Sequence, residues 1–163
     1  MKFLNAFLLF ASLSLVNTSA SGFTLQIVQG NYTWYEAKLD AETRGGRLAI
    51  LDTQDKISAA NSYLSLLGAW PRLWLGATDN GNEGNWIWID GNEMTESNWF
   101  GGEPNGGLTE NYLQLIDSES FNALQWNDAN TAGGYVLESV PEPSNYALLL
   151  GGLALGLVAL RRR

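Results

Sequence analysis

Five side chains between Glu103 and Asp128 carry oxygen in a pattern suited to a hard cation. Glu103-Pro104-Asn105 opens the stretch, two glycines lead on to Glu110-Asn111, and Trp126-Asn127-Asp128 closes it. Ca²⁺ takes ~6–8 oxygen ligands at ~2.3–2.6 Å in a flexible shell, and mixed carboxylates and amides supply them. The candidate ligands are Glu103, Asn105, Glu110, Asn127 and Asp128, provided the fold brings the two ends together. The amides dilute the negative charge and leave NH₂ groups able to donate outward. Any one of these residues alone would be an ordinary solvated turn former. Taken jointly, with Pro104 between two of them, they point to a metal. Paired carboxylates such as Glu103 and Glu110 can also hydrolyse glycosides. A carboxylate on Ca²⁺ has its pKa lowered, however, and makes a poor general acid, so the pattern argues against an enzyme.

Composition narrows the alternatives. The chain has 163 residues, and its central part is one domain's worth, enough for a single hydrophobic core. Between Ser21 and Ser139 there are 16 acidic and 5 basic residues, a net charge of −11. Binding to nucleic acid or anionic lipid rests on Lys and Arg, so neither is expected as a partner. The absence of histidine removes Ser-His and Cys-His catalysis and the usual zinc ligand. The absence of cysteine removes disulfides and thiolate sites.

Both ends read as processing signals. Met1-Lys2, an apolar run from Phe3 to Val16 and small residues at Thr18, Ser19 and Ala20 make a secretory signal peptide over residues 1–20. The run is shorter than the ~20 residues needed to span a bilayer. At the other end Val140-Pro141-Glu142-Pro143-Ser144 precedes an apolar segment from Tyr146 to Leu160 and then Arg161, Arg162 and Arg163. Alone, that segment could be a short membrane stop with positive charge on the cytoplasmic side. The three parts together resemble the PEP-CTERM sorting signal of Gram-negative bacteria, here residues 140–163. The resemblance implies transient membrane insertion of the tail, its removal by an exosortase, and release to an exopolysaccharide-rich cell surface. Asn31-Tyr32-Thr33 fits a glycosylation sequon and is taken as chance.

The elements that must position the oxygen cluster lie between these ends. Gly22 to Gln29 alternates weakly and predicts a strand that stops at Gly30-Asn31. Thr33 to Glu36 is a capping box, opening a helix with Trp34, Ala37 and Ala41 on one stripe and glycines at its end. Leu48 to Leu51 predicts a short strand. Thr53 caps a second helix with Ile57, Ala60, Leu64 and Leu67 on its apolar face. Beyond Gly68 the helical pattern disappears. Leu73–Ala77, Trp86–Gly91, Tyr112–Leu115 and Tyr135–Glu138 predict strands, and the tryptophans at 34, 74, 86, 88, 99 and 126 read as core. Two early helices, later strands and one long excursion give an α+β class. A loop that long inside one domain is usually functional, and a cation would cross-link it.

In order, these landmarks resemble a C-type lectin-like domain. They are Trp34-Tyr35-Glu36-Ala37, Gly45-Gly46-Arg47-Leu48-Ala49, Leu73-Trp74-Leu75-Gly76, Trp86-Ile87-Trp88-Ile89-Asp90-Gly91, Asn98-Trp99, Glu103-Pro104-Asn105, Trp126-Asn127-Asp128 and Tyr135-Val136-Leu137-Glu138. The resemblance spans Tyr32 to Glu138, within a domain of residues 22–139. It implies a double-loop fold with two helices, mixed and antiparallel sheets, and a long loop that carries Ca²⁺.

Carried over residue by residue, the resemblance implies a cis bond before Pro104, turning Glu103 and Asn105 toward one point. The metal ligands are then Glu103, Asn105, Glu110, Asn127 and Asp128, the last also through its backbone oxygen. Glu103, Asn105, Glu110 and Asn127 would in addition bond the ligand, as two neighbouring sugar hydroxyls replace water on the metal. Acid before the proline and amide after it resemble the mannose-type order, which fits equatorial hydroxyls of mannose, glucose or N-acetylglucosamine. Asp79 and Glu83 match two ligands of an auxiliary Ca²⁺ site, in which Asn111 replaces an acid and Gly106 stands where a further ligand would be. Ala41, Tyr112, Thr131 and Leu137 stand at the family's four cysteine positions. The expected function is an exported, calcium-dependent carbohydrate-binding protein at the cell surface, in the extracellular matrix or in the periplasm. A lectin-like scaffold with structural calcium and a protein ligand is the alternative.

Overall fold

The computed structural model describes residues 16–18, 23–66, 71–117 and 124–139. The expected sorting tail lies outside the described residues. So does the expected signal peptide, except that Val16–Thr18 forms a short strand (β1) antiparallel to the next one.

The chain runs through β2 (Phe23–Tyr32), α1 (Trp34–Thr43), β3 (Arg47–Leu48), α2 (Gln54–Ser65), β4 (Leu73–Thr78) and β5 (Ile87–Trp88). A 3₁₀ turn at Gly107–Thr109 precedes β6 (Tyr112–Asp117), β7 (Leu124–Ala129) and β8 (Ala132–Ser139). Neighbours in the sheet follow the order β1-β2-β8-β4-β6-β7, with β3 on β8 and β5 on β4. Among the strands of the described residues only β4 and β8 pair in parallel, at Trp74 and Tyr135, so the sheet is mixed and the class is α+β. The first and last long strands, β2 and β8, close the domain by pairing antiparallel from Thr24–Ser139 to Val28–Tyr135.

Both helices start where their caps dictate. The Thr33 side chain accepts from the Glu36 N–H, and Glu36 answers on the Thr33 N–H at 2.8 Å, the reciprocal capping box. Thr53 caps α2 through the Lys56 N–H. At the end of α1, Gly46 N–H reaches the Ala41 carbonyl and Gly45 N–H the Glu42 carbonyl, each at 3.0 Å. That double bond pattern needs a left-handed residue, and Gly45 supplies it at φ 77°.

The helices cover opposite faces of the sheet, because alternate strand residues point opposite ways. Leu73, Leu75 and Ala77 of β4 and Val136 of β8 pack with Ile57, Ala60, Tyr63 and Leu64 of α2. The intervening Trp74, with Tyr135 and Leu137, packs with Trp34, Ala37 and Ala41 of α1. Trp34, Trp74, Trp86, Trp88 and Trp126 are buried, and Trp99 packs half-buried against the larger cluster. Ala41 and Leu137 stand at two expected cysteine positions and meet in the α1 core. Tyr112, at another, stacks on Trp34 with ring centres 5.3 Å apart and meets Tyr35 and Trp74 edge-on. Apolar and aromatic packing holds these places without sulfur.

Candidate functional site

The long excursion is anchored at both ends by main chain. The Trp126 N–H donates to the Asn98 carbonyl at 2.8 Å, and Phe100 N–H donates to the Trp126 carbonyl at 2.9 Å. A tight turn then returns Glu103 N–H to the Phe100 carbonyl at 2.9 Å. The segment carrying Glu103 thus runs beside β7, the strand carrying Asn127 and Asp128. β7 is the feature that sequence patterning placed inside an irregular loop. It pairs with β6 over its whole length, Asp128 opposite Leu113 and Asn127 opposite Gln114.

The peptide bond between Glu103 and Pro104 is cis. Asp128 is 1% exposed, and its carboxylate accepts the Asn105 N–H at 3.2 Å and the Gly106 N–H at 2.6 Å. Gly106 in turn lies against Glu110, since a Cβ at 106 would come within 2.2 Å of Glu110 Cβ and 2.6 Å of its Oε2. The φ of Gly106 is −78°, open to any residue, so it is this approach that demands glycine. Glu103, Asn105, Glu110 and Asp128 therefore surround one short piece of backbone. Asn127 is less committed to it, because its amide donates to the Asp128 carbonyl.

Charge in this cluster is unbalanced. Glu103 Oε2 is buried without a hydrogen-bond partner. Burial, the facing Asp128 carboxylate and the charge of Glu110 hold Glu103 above the ordinary carboxyl pKa. A carboxylate pressed on other carboxylates is relieved by a proton or by a cation. The donors are all oxygen, as Ca²⁺ requires, and the orphaned Oε2 is an acceptor waiting for one. The residues fit the ion as a mixed set of acids and amides. Among the described residues no three acidic side chains gather closely enough to hold a metal by themselves.

The cluster extends toward the polar loop after β4. Asp79 is 4% exposed. Its Oδ2 accepts the Gly84 N–H at 2.9 Å, while its Oδ1 is buried without a partner. Lost hydration, then the charges of Asp79 and Asp128, push the Glu83 pKa up. Asn111 is turned elsewhere. Its side-chain amide donates to the Leu108 carbonyl at 3.3 Å, and its backbone carbonyl accepts from Thr78 Oγ1 at 2.6 Å and from the Asp79 N–H at 3.3 Å. Three positioning residues carried no sequence signal of that role. Thr78 ties the β4 end to Asn111, Asn130 donates to the Thr109 carbonyl beneath the 3₁₀ turn, and buried Gln114 donates to the Thr131 carbonyl.

A mixed sheet flanked by two helices, with an acid- and amide-lined loop on its rim, defines a lectin-like binding domain. The C-type lectin domain model matches residues 30–136, and the chain belongs to that family. Over 99 residues it is 32% identical to the hepatic lectin of Gallus gallus, covering 59% of this chain and 44% of that protein. Over 82 residues it is 37% identical to perlucin of Haliotis laevigata, covering 50% of this chain and 52% of that one. The chain thus spans about half the length of these curated relatives. Among solved structures it resembles the carbohydrate-recognition domain of cow CD23, determined in the presence of a GlcNAc2Man3 oligosaccharide. The TM-score is 0.61 at 27% identity, over 74% of this chain and 90% of that one.

Proposed function

We propose that this domain binds carbohydrate through a calcium ion held by Glu103, Asn105, Glu110, Asn127 and Asp128. The observation that carries the reading is the buried, unpartnered Oε2 of Glu103 among the carboxylates of Asp128 and Glu110. Bound there, the ion would neutralise these acids and offer open coordination positions to two adjacent hydroxyls. The chain supplies the rest of the recognition. Carboxylate oxygens of Glu103 and Glu110 accept hydrogen bonds from the sugar, and the amides of Asn105 and Asn127 donate to it. That order suits the 3- and 4-hydroxyls of mannose, glucose or N-acetylglucosamine. A second ion at Asp79 and Glu83 belongs to the same reading, with stoichiometry as its test.

The role is binding and not catalysis, since acids neutralised by a metal hold no proton to give. Export by the N-terminal signal, processing of the tail by an exosortase and retention in exopolysaccharide complete the proposal. One contact per domain supports only ~1 mM affinity, about −4 kcal/mol, so retention on a polymer rests on several domains acting together.

The alternative reading is a scaffold with structural calcium and a protein ligand. It is favoured by the Asp128 carboxylate, both of whose oxygens already hold backbone. Calorimetric calcium titration followed by a glycan array with and without chelator separates the two. Sugar binding that vanishes on chelation supports the lectin. Calcium-stabilised folding without any glycan bound supports the scaffold, and no calcium uptake overturns both.

A further inference from the structure

Asn105 is followed by Gly106 on the exposed rim of the loop. The side-chain carbonyl carbon of an asparagine lies within reach of the next backbone nitrogen, and glycine there has no Cβ to obstruct ring closure. Here the glycine is imposed by packing, because any Cβ would strike Glu110. The Gly106 N–H already points its proton at an anionic acceptor, Asp128 Oδ2, at 2.6 Å. The arrangement that fits Glu110 under the loop thus also makes Asn105 chemically labile.

We propose that Asn105 is a deamidation site held in check by calcium, so that the domain loses its sugar-binding amide when the ion is withdrawn. The inference rests on the calcium-lectin reading above. In the reaction the Gly106 nitrogen attacks Cγ of Asn105 and gives up its proton, through Asp128 or solvent. A bond forms between that nitrogen and Cγ, the Cγ–Nδ2 bond breaks, and Nδ2 leaves as ammonia carrying the proton. The resulting five-membered imide then takes up water at either carbonyl, giving aspartate or isoaspartate at 105. Neither oxidant nor reductant is required, and water is the only co-reactant. With Asn105 and Asp128 both engaged by the ion, the side chain is not free to swing onto the Gly106 nitrogen. The product carries two acceptors where the amide carried a donor, and isoaspartate also lengthens the backbone between Glu103 and Gly106.

Asn80-Gly81 provides an internal comparison. The Asn80 amide donates to the hydroxyls of Tyr35 at 3.2 Å and Tyr112 at 3.5 Å, partners that do not belong to the proposed shell of Glu103, Asn105, Glu110, Asn127 and Asp128. The test incubates the full chain in mildly alkaline buffer with calcium or with chelator and follows each asparagine by peptide mapping and isoaspartate chromatography. Calorimetry on the same preparation records ion binding. Asn105 is expected to convert faster than Asn80 in chelator. Saturating calcium at 100 Kd leaves about one molecule in a hundred free, so the Asn105 rate falls by up to ~100-fold, with little change at Asn80. If Asn105 stays intact as long as Asn80 in chelator, or converts equally in calcium that calorimetry shows to be bound, the inference is overturned and the lectin reading stands. If no calcium binds, both are overturned.

Discussion

The hydroxyl of Tyr135 in β8 donates to Oδ2 of Asp40 in α1 at 2.6 Å, joining the helix to the strand through their shared core. Tyr135 is fully buried, and that burial first, then the Asp40 contact, pushes its phenol far above the ordinary value. The Tyr135 bond and, after it, the Arg44 contact pull Asp40 below its usual pKa. An acid depressed in the folded state contributes stability above its unfolded pKa, about 3.8, and loses it as pH falls through the folded value. Tyr135→Phe is therefore expected to lower stability at neutral pH by ~1.5–3 kcal/mol, the range for a hydrogen bond to a charged group. Urea denaturation of wild type and variant across the acid range should show the difference shrinking well below pH 3.8. A constant difference at all pH would mean that the hydroxyl acts through packing alone.

Glu138 is 1% exposed and is answered from three sides. Arg47 Nε and a terminal guanidinium nitrogen reach its two oxygens at 3.0 and 3.3 Å, the Ile50 N–H donates at 3.0 Å, and Lys56 Nζ stands at 3.7 Å. The pair fastens β3 and the start of α2 to β8. Arg47→Ala leaves a buried carboxylate with the Ile50 N–H and, as its one remaining cation nearby, the more distant lysine. The expected loss is ~2–3 kcal/mol, below the ~3–5 kcal/mol for a buried charge left with no partner. Lys56→Ala should cost less than half as much by chemical denaturation, and equal losses would refute this ranking.

Caps and periodicity made much of this architecture legible in advance. Thr33, Glu36 and Thr53 act through hydrogen bonds only a few residues long, so the local sequence determines them. The stripe of Trp34, Ala37 and Ala41 faces the core as its spacing requires. β7 was hidden because the inward position taken by Leu124 and Trp126 is taken next by Asp128, a polar residue that breaks the apolar alternation. Glu138 was hidden for the same reason, as a charge at a core position reads as a strand end until Arg47 and Lys56 are placed beside it. In the site, the acid–proline–amide order could be read directly. The role of Asp128 as a double acceptor for the Asn105 and Gly106 amides could not, because it depends on the parallel approach of Trp99 to Trp126.

Gly106 and Gly101 offer a paired test of the loop. Neither has a positive φ, but only Gly106 has a neighbour in the way of a side chain, whereas a Cβ at Gly101 meets nothing within 4 Å. Gly106→Ala must displace Glu110, taking one carboxylate out of the proposed shell. Its calcium affinity should fall by about tenfold or more, roughly 1.4 kcal/mol. Gly101→Ala should leave the titration unchanged. Unaltered affinity in Gly106→Ala would place the ion away from Glu110.

Asn105→Asp separates holding the ion from recognising the sugar. The substitution keeps an oxygen where the amide oxygen stood and adds a negative charge, so calcium binding and the calcium-dependent rise in melting temperature should survive. What disappears is the NH₂ donor, and with it the hydrogen bond to a sugar hydroxyl acting as acceptor. An unmatched polar contact costs about 1–3 kcal/mol, so sugar affinity should fall by roughly tenfold or more while the fold is unchanged. Parallel calorimetry with calcium and with the best-binding sugar of the array gives both numbers. If calcium and sugar binding fall together, Asn105 serves the ion and not the ligand. If neither falls, recognition lies outside the loop, and the amide that distinguishes Glu103-Pro104-Asn105 from a simple acidic turn has no part in it.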